Sequence, residues 1–447
     1  MATVRAASSP AAPAPSAAPE PRAVRLWTLA FGAFLGLALL KFPNPALLDH
    51  LVTPPANGWE WALSSWPLRY AFVPLLVLLV TGAGLARRAT GAGRAVWLPL
   101  AWLAWVGLSA LAAASGERPW SGLTLLHHAA GVVCFYLGLL VAGRTRGPWW
   151  FLAGLLAAMA VVCLAGWQQH FGGLEETRRY FYAYTYPNLT EVNPDQLKRI
   201  NSNRIFGTLF YPNSLAGAVL LLTPALLGGL ADARKTFTPG ARTLLLLGLG
   251  VAAAGCLVWS GSKTGWLLAL GLGLLVLLRW PLARTLKIAL VAVVLLAGLA
   301  GFAARYAGFF HKGASSVVAR FDYWRAGLTM VGERPLFGAG PGLFGAGYKR
   351  LKPPEAEMAQ LAHNDYLQQA ADSGLPAATL FAGLVAGVLW RGRRLWRHPG
   401  WLEWGAWLGL LALAAQSLVE FGFMVPATAW CWFGLAGWLW RRTLPDG

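Results

Sequence analysis

The sequence predicts an all-α, polytopic membrane protein with about twelve transmembrane helices and a long helical loop on the outer side of the membrane. Hydrophobic residues make up 57% of the 447 residues and charged residues only 12%, whereas soluble domains carry about 25% charged residues. The apolar residues are gathered into runs near the length of about 20 residues that a helix needs to cross a bilayer. The chain also has 24 tryptophans, a residue type that is enriched at membrane–water interfaces.

Twelve apolar runs divide the chain into spans and connections. They begin near Leu26, Trp66, Ala95, Leu123, Pro148, Thr208, Thr243, Gly265, Ile288, Leu375, Trp401 and Met424. The start of the chain is rich in Ala, Pro and Ser, which is typical of disorder. We therefore expect a disordered cytoplasmic tail over 1–24, spans one to nine over 25–303 with an outer loop at 169–206, a long outer loop over 304–373 between spans nine and ten, and spans ten to twelve with a cytoplasmic C-terminus over 374–447.

The distribution of Lys and Arg predicts the orientation. With the N-terminus in the cytoplasm, the segments on that side hold 20 of the 37 basic residues and four acidic residues, as expected from the preference of Lys and Arg for cytoplasmic loops. The cytoplasmic side then carries +16 and the outer side +3 of the net charge of +19. Because the excess charge is explained by topology, we predict no binding of nucleic acid.

The sequence gives no indication of a metal site or a cofactor. Cys134, Cys163, Cys256 and Cys431 all fall inside apolar runs, so we expect free thiols rather than disulfides or a zinc site. No Asp-x-Asp pattern or metal-ligand cluster stands out.

The long outer loop is predicted to contain two helices. Ser315 and Ser316 can cap a helix that continues over 317–331, and Glu333-Arg334-Pro335 ends it. A glycine-rich, tightly turning segment follows over 338–347; it is not a phosphate-binding P-loop, because no Gly-Lys-Ser/Thr comes after it. A second helix is expected over about 355–371.

Cationic side chains near the outer ends of apolar runs are candidates for function, because charge is costly there. Arg204 precedes the sixth span, and Asn213 follows within that run; the two fit an anion site, and the alternative is an arginine that snorkels to the interface. Lys263 lies among small and hydroxyl residues in the turn between two spans, which together make a plausible diphosphate pocket. The alternative is a surface lysine. Arg320, near Tyr323, forms a basic and aromatic helix face and is the third candidate for binding a diphosphate. The alternative is a solvated or interfacial amphipathic helix.

His363 is the candidate general base. It lies within the second predicted helix of the outer loop and shares a face with Leu367, four residues later. Its ring is therefore expected to point inward, toward the cationic candidates. Asn364 and Asp365 are expected nearer the rim, where one of them orients the ring or an acceptor. The alternative is a histidine that only packs.

These motifs, in their order and spacing, resemble the O-antigen ligase/polymerase family over about residues 200–375. They are Arg204 with Gly207-Thr208 and Pro212-Asn213; Ser262-Lys263-Thr264-Gly265-Trp266; Arg320-Phe321-Asp322-Tyr323-Trp324; Pro335-Leu336-Phe337-Gly338-Ala339-Gly340; and His363-Asn364-Asp365-Tyr366-Leu367. The resemblance implies diphosphate binding by Arg204 and Lys263 and a base role for His363. The family commonly has arginine where this chain has Lys263, so the bidentate fork is lost there.

The resemblance implies a membrane glycosyltransferase that needs no metal. The donor would be an undecaprenyl-diphosphate-linked glycan and the acceptor lipid A-core, on the periplasmic face of the bacterial inner membrane; the long outer loop is then a periplasmic loop. An O-antigen polymerase or a protein O-oligosaccharyltransferase of the same family is the alternative, because only the acceptor differs. A transporter or lipid flippase is the alternative from another class, but transporters place polar residues at the bilayer midplane, and here the candidate charges lie at the outer surface.

Overall fold

The computed structural model describes residues 20–86, 91–113, 118–188, 197–198, 200–311, 315–397 and 400–444. Within these ranges the fold is helical and contains no strand. The α-helices are α1 (Arg22–Lys41), α2 (Gly58–Leu63), α3 (Arg69–Leu85), α4 (Leu98–Ala112), α5 (Arg118–Leu140), α6 (Trp149–Gln168), α7 (Leu174–Tyr180), α8 (Pro212–Asp232), α9 (Pro239–Trp259), α10 (Lys263–Arg279), α11 (Arg284–His311), α12 (Ser315–Glu333), α13 (Phe344–Leu351), α14 (Asp365–Gly392), α15 (Leu402–Gln416) and α16 (Pro426–Arg442).

The apolar runs of the sequence form helices, which confirms the all-helical class. Among the residues described, eight helical stretches are long and apolar enough to cross a membrane; they contain α1, α4, α5, α6, α8, α9, α11 and α14. Helices α3, α10, α15 and α16 coincide with the other four predicted spans but have only 15 to 17 residues. The number of twelve spans therefore stays a prediction.

Close packing of glycines against neighbouring backbones joins three pairs of helices. A Cβ atom placed on Gly437 of α16 would lie 1.8 Å from the carbonyl oxygen of Phe135 in α5, and one on Gly409 of α15 would lie 1.8 Å from that of Leu221 in α8. Helices α1 and α6 meet in the same way at Gly32. Small residues at such contacts are how membrane helices approach closely, because lipid supplies no hydrophobic drive for their association.

The glycine-rich segment after α12 is inserted between α4, α5 and α14. Ser109 Oγ of α4 donates to the carbonyl of Phe337 (2.6 Å), and the Gly340 N–H donates to the carbonyl of Asp372 (2.7 Å). Gly340 and Gly342 have φ of 121° and 79°, in the left-handed region that glycine adopts without cost. The predicted tight turning is confirmed over 338–343, whereas 344–347 already belong to α13. The turning segment anchors the predicted outer loop to the helix bundle.

In the predicted outer loop, the first helix is confirmed and the second is not. Helix α12 contains the predicted 317–331 and ends at Glu333, as expected. The predicted helix over 355–371 is helical only from Asp365, where α14 begins. The chain from 352 to 364 contains no α-helix, and the short α13 precedes it at Phe344–Leu351. Lys352 Nζ donates to three carbonyls over the following residues, those of Pro353, Pro354 and Ala356, which hold this stretch in turns.

Several predicted boundaries shift. The predicted tail over 1–24 lies mostly outside the described residues, which begin at 20, and α1 already starts at Arg22. The predicted outer loop over 169–206 opens as helix, with a kink at Gly172 (φ 133°) before α7, and 189–196 and 199 lie outside the described residues. Helix α11 continues past 303 to His311. Helix α14 passes through the predicted boundary at 374 with a kink at Gly374 (φ 84°).

Candidate active site

The candidate site is organised around Glu420, a carboxylate that the sequence analysis did not single out. Glu420 lies in the turn between α15 and α16 and is only 4% exposed. Its Oε1 accepts a hydrogen bond from Asn213 Nδ2 (2.6 Å) and pairs with Arg320, and its Oε2 lies 3.3 Å from His363 Nδ1. Three of the predicted residues, each from a different part of the chain, therefore meet on one side chain.

Arg204 joins this group through Asn213. Its Nε donates to the carbonyl of Ser260 (2.7 Å) and its Nη2 to Asn213 Oδ1 (2.7 Å). Asn213 lies in the first turn of α8 and so bridges the guanidinium to Glu420. Burial lowers the pKa of Arg204 from its usual value, and the charge of Glu420 opposes that shift; an arginine remains charged under such conditions.

Lys263 lies beside Arg204, in the adjoining turn. Ser262 caps α10, its Oγ accepting from the Gly265 N–H (3.1 Å), so that Lys263 is the first residue of the helix. A Cβ atom on Gly261 (φ 60°) would lie 3.3 Å from Arg204 Cγ and Nε, which shows how closely the turn and the guanidinium stem pack. Lys263 Nζ lies 5.3 Å above the ring of Tyr306. The two cations thus occupy one corner of the site.

Arg320 makes bonds within the protein with each of its guanidinium nitrogens. Nε donates to the carbonyl of Val419 (3.0 Å), Nη1 to that of Ser316 (3.0 Å), and Nη2 to Glu420 Oε1. These bonds tie α12 to the turn that carries Glu420. Arg320 contributes positive charge to the site, while its contacts hold the carboxylate in place.

His363 is held between aromatic rings. Its ring centroid lies 4.8 Å from that of Phe421, edge to face, and 5.7 Å from that of Tyr323, which is buried. Its φ is 49°, a left-handed conformation that is uncommon for residues other than glycine, though less so for histidine. Non-glycine residues held in this region cluster at functional sites. The side chain is 29% exposed.

The expected place of His363 on a helix is wrong. Asn364 is the N-cap of α14, with its Oδ1 accepting from the Leu367 N–H (3.0 Å), so His363 precedes the helix and shares no helical face with Leu367. Leu367 instead packs against Gly327 of α12. Asn364 has the extended backbone of an N-cap, and its side chain satisfies an N–H of the first helical turn. The helix therefore starts after Asn364 and does not include His363.

Asp365 does not lie near the rim as expected. It is 1% exposed; its Oδ2 accepts from the Phe423 N–H (2.9 Å) and its own N–H donates to the carbonyl of Ser417 (2.8 Å). Asp365 therefore joins the start of α14 to the turn that contains Glu420. Asn364 is partly exposed and caps α14.

The arrangement combines cations, a carboxylate and an imidazole at the ends of apolar helices. Such a group can bind an anion and accept a proton. A cavity lined by Glu420, Asn213 and Phe421 among others has a volume of about 10 Å³, enough for about one water molecule. Among the described residues, no group of three His, Cys, Asp or Glu side chains is arranged to hold a metal ion.

One comparison with known proteins gives a match. The model of the O-antigen ligase family matches residues 248–382, which confirms the resemblance found in the motifs. The match includes Lys263, Arg320 and His363 but begins after Arg204 and Asn213 and ends before Glu420. A search of curated proteins finds no match to the chain. The family and the apolar helices together indicate a multi-pass membrane protein with a role in glycosyl transfer.

Proposed function

Because residues 248–382 carry an O-antigen ligase domain, we propose that this protein transfers an undecaprenyl-diphosphate-linked glycan to an acceptor hydroxyl of lipid A-core. The reaction is a metal-independent displacement with inversion at the sugar C1, on the periplasmic face of the bacterial inner membrane. The observation that carries the proposal is the junction of His363 with Arg204 and Arg320 through Glu420 and Asn213.

The cations act on the leaving group. As the bond from C1 to the diphosphate oxygen breaks, the electron pair leaves with undecaprenyl diphosphate, and fixed positive charges stabilise it. Arg204 and Lys263 occupy one corner and bind the diphosphate. Arg320 adds charge but has its guanidinium nitrogens bound within the protein, so its contribution is electrostatic rather than a direct bidentate contact.

His363 acts on the acceptor. The acceptor oxygen forms the new bond to C1, and its proton passes to the imidazole nitrogen that does not face Glu420. A histidine can take up a proton in this way when it is held within hydrogen-bond reach of the hydroxyl. With the acceptor on the His363 side and the diphosphate on the Arg204 side, attack is opposite to the leaving group and inverts C1.

The test is reconstituted transfer. Purified protein in EDTA receives a lipid-diphosphate-linked glycan and, in separate reactions, lipid A-core, a free glycan chain of the donor type, or a periplasmic protein. Transfer to lipid A-core with inverted configuration is expected. Transfer only to the glycan chain or only to the protein would replace lipid A-core as the acceptor, and transport of the donor without transfer to any of them would overturn the proposal.

A further inference from the structure

Glu420 contacts three of the candidate site residues, Asn213, Arg320 and His363, and it lies outside the segment that the family model matches. Its side chain is 5% exposed. A buried carboxylate is costly unless it is paired and hydrogen-bonded. The buried Glu420 therefore requires the donors around it, and its carboxylate in turn holds those donors in place.

The two oxygens of Glu420 have different tasks. Oε1 accepts hydrogen bonds from Asn213 Nδ2 and from Arg320 Nη2, and both of these nitrogens can only donate. Oε2 faces His363 Nδ1 at 3.3 Å. Because a carboxylate paired with arginine can only accept, Nδ1 carries the hydrogen of the neutral imidazole.

This hydrogen bond decides which nitrogen of His363 is basic. With the hydrogen on Nδ1, the lone pair is on Nε2. Phe421 and Tyr323 pack against the ring. In the proposed reaction the acceptor hydroxyl therefore meets Nε2, the nitrogen that does not face Glu420.

We propose that Glu420 is the positioning residue of His363, fixing the tautomer with Nδ1–H and the orientation of the ring so that Nε2 faces the acceptor hydroxyl. This inference rests on the proposed function, in which His363 is the base. Glu420 touches no reacting atom. Its carboxylate also stabilises the imidazolium that forms when Nε2 takes the proton.

Glu420→Gln is the informative change, because the amide keeps the shape and reverses one hydrogen bond. Its oxygen must face Asn213 and Arg320, both donors, so its NH₂ faces His363 and donates to Nδ1. The hydrogen of the imidazole then moves to Nε2, and the lone pair points away from the acceptor. An orienting carboxylate changed to an amide in this way lowers kcat by about 10⁴-fold in a serine protease, and we expect a loss on the order of 10²- to 10⁴-fold here.

Glu420→Asp and Glu403→Gln separate this role from stability. Aspartate keeps the charge and the acceptor character, so it should retain more turnover than glutamine. Glu403 is a second buried glutamate paired with an arginine, Arg442 (2.9 Å), at the opposite end of α15, about 20 Å away by helix rise. Glu403→Gln removes a comparable ion pair and should leave turnover per folded molecule unchanged.

The experiment measures kcat and the donor KM of each purified variant by glycan transfer, with His363→Ala in parallel. The expected order of kcat is wild type, Glu420→Asp, then Glu420→Gln, with a donor KM for Glu420→Gln within about threefold of wild type. The positioning role would be overturned if folded Glu420→Gln had the wild-type kcat, or if its kcat equalled or exceeded that of Glu420→Asp. In either case an inactive His363→Ala would leave the proposed function standing. Normal transfer by His363→Ala would remove the proposed base itself.

Discussion

Replacing His363 by asparagine separates proton transfer from folding. The φ of 49° at this position is unfavourable for most residues, but asparagine adopts it readily. The amide N–H can also replace the Nδ1 donor that faces Glu420 Oε2 at 3.3 Å. An amide is not basic, so the acceptor hydroxyl loses its proton acceptor while the backbone and the contact to Glu420 are kept.

The expected loss of activity exceeds the expected loss of stability. Removing a positioned base costs about 10²- to 10⁴-fold, or roughly 2.7 to 5.4 kcal/mol in the activation barrier at about 1.36 kcal/mol per factor of ten. The ring contacts to Phe421 and Tyr323 are worth about 0.5 to 1.5 kcal/mol each, and a side chain that is 29% exposed leaves little cavity. His363→Asn should therefore fold and bind donor but transfer poorly.

The assay is single-turnover transfer at saturating donor, normalised to folded protein by thermal unfolding followed through tryptophan fluorescence. His363→Ala is the comparison, and it should have the lower Tm of the two because alanine does not favour a positive φ. A folded His363→Asn protein that transfers within tenfold of the wild-type rate would refute the base role. A loss of rate that merely follows a loss of folded protein would assign His363 to packing.

Three further outcomes are expected. Arg204→Ala should weaken donor binding and turnover at least about tenfold, since hydrogen bonds of charged groups contribute about 1.5 to 3 kcal/mol. Lys263→Arg should remain active because it keeps the charge. Normal donor binding by Arg204→Ala would show that the anion site lies elsewhere. A cysteine at the exposed position of Glu355 should react with an impermeant thiol reagent once the outer membrane is opened, above the background of the four buried native cysteines; labelling only after the inner membrane is broken would reverse the orientation. Gly437→Ala should lose about 1 to 3 kcal/mol of stability, because its Cβ would lie 1.8 Å from a carbonyl oxygen of α5. The control Gly248→Ala, whose Cβ meets open space, should not lower Tm. Equal Tm values for the two variants would contradict the close helix packing.

The helices were predictable because the signals that specify them are local. Hydrophobic runs locate the apolar helices, and the sequence Glu333-Arg334-Pro335 ends α12 where expected. The start of α14 differs from the prediction because Asn364 caps the helix and does not lie within it. Its side-chain bond to the N–H three residues later is also a local signal, since asparagine is a preferred capping residue.

The members of the site were largely predictable, but their connections were not. Arg204, Lys263 and His363 stand out because charged and polar groups at the ends of apolar runs are costly. Glu420 has the same signal, lying between two apolar helices, but its partners are 57, 100 and 207 residues away in the chain. No sequence pattern predicts pairing over such separations, so the carboxylate that joins the site emerges only from the folded chain.

The residues of the candidate site extend beyond the segment that the family model matches. Residues 248–382 include the proposed base and one cation of the anion site, but Arg204 and Asn213 come from the N-terminal side and Glu420 from the C-terminal side. Asn213 lies in the first turn of α8, and Glu420 follows α15; these two helices are joined through the glycine contact at Gly409. The distance between base and anion site is therefore set by helix packing outside the matched segment, and that segment alone cannot form the complete site.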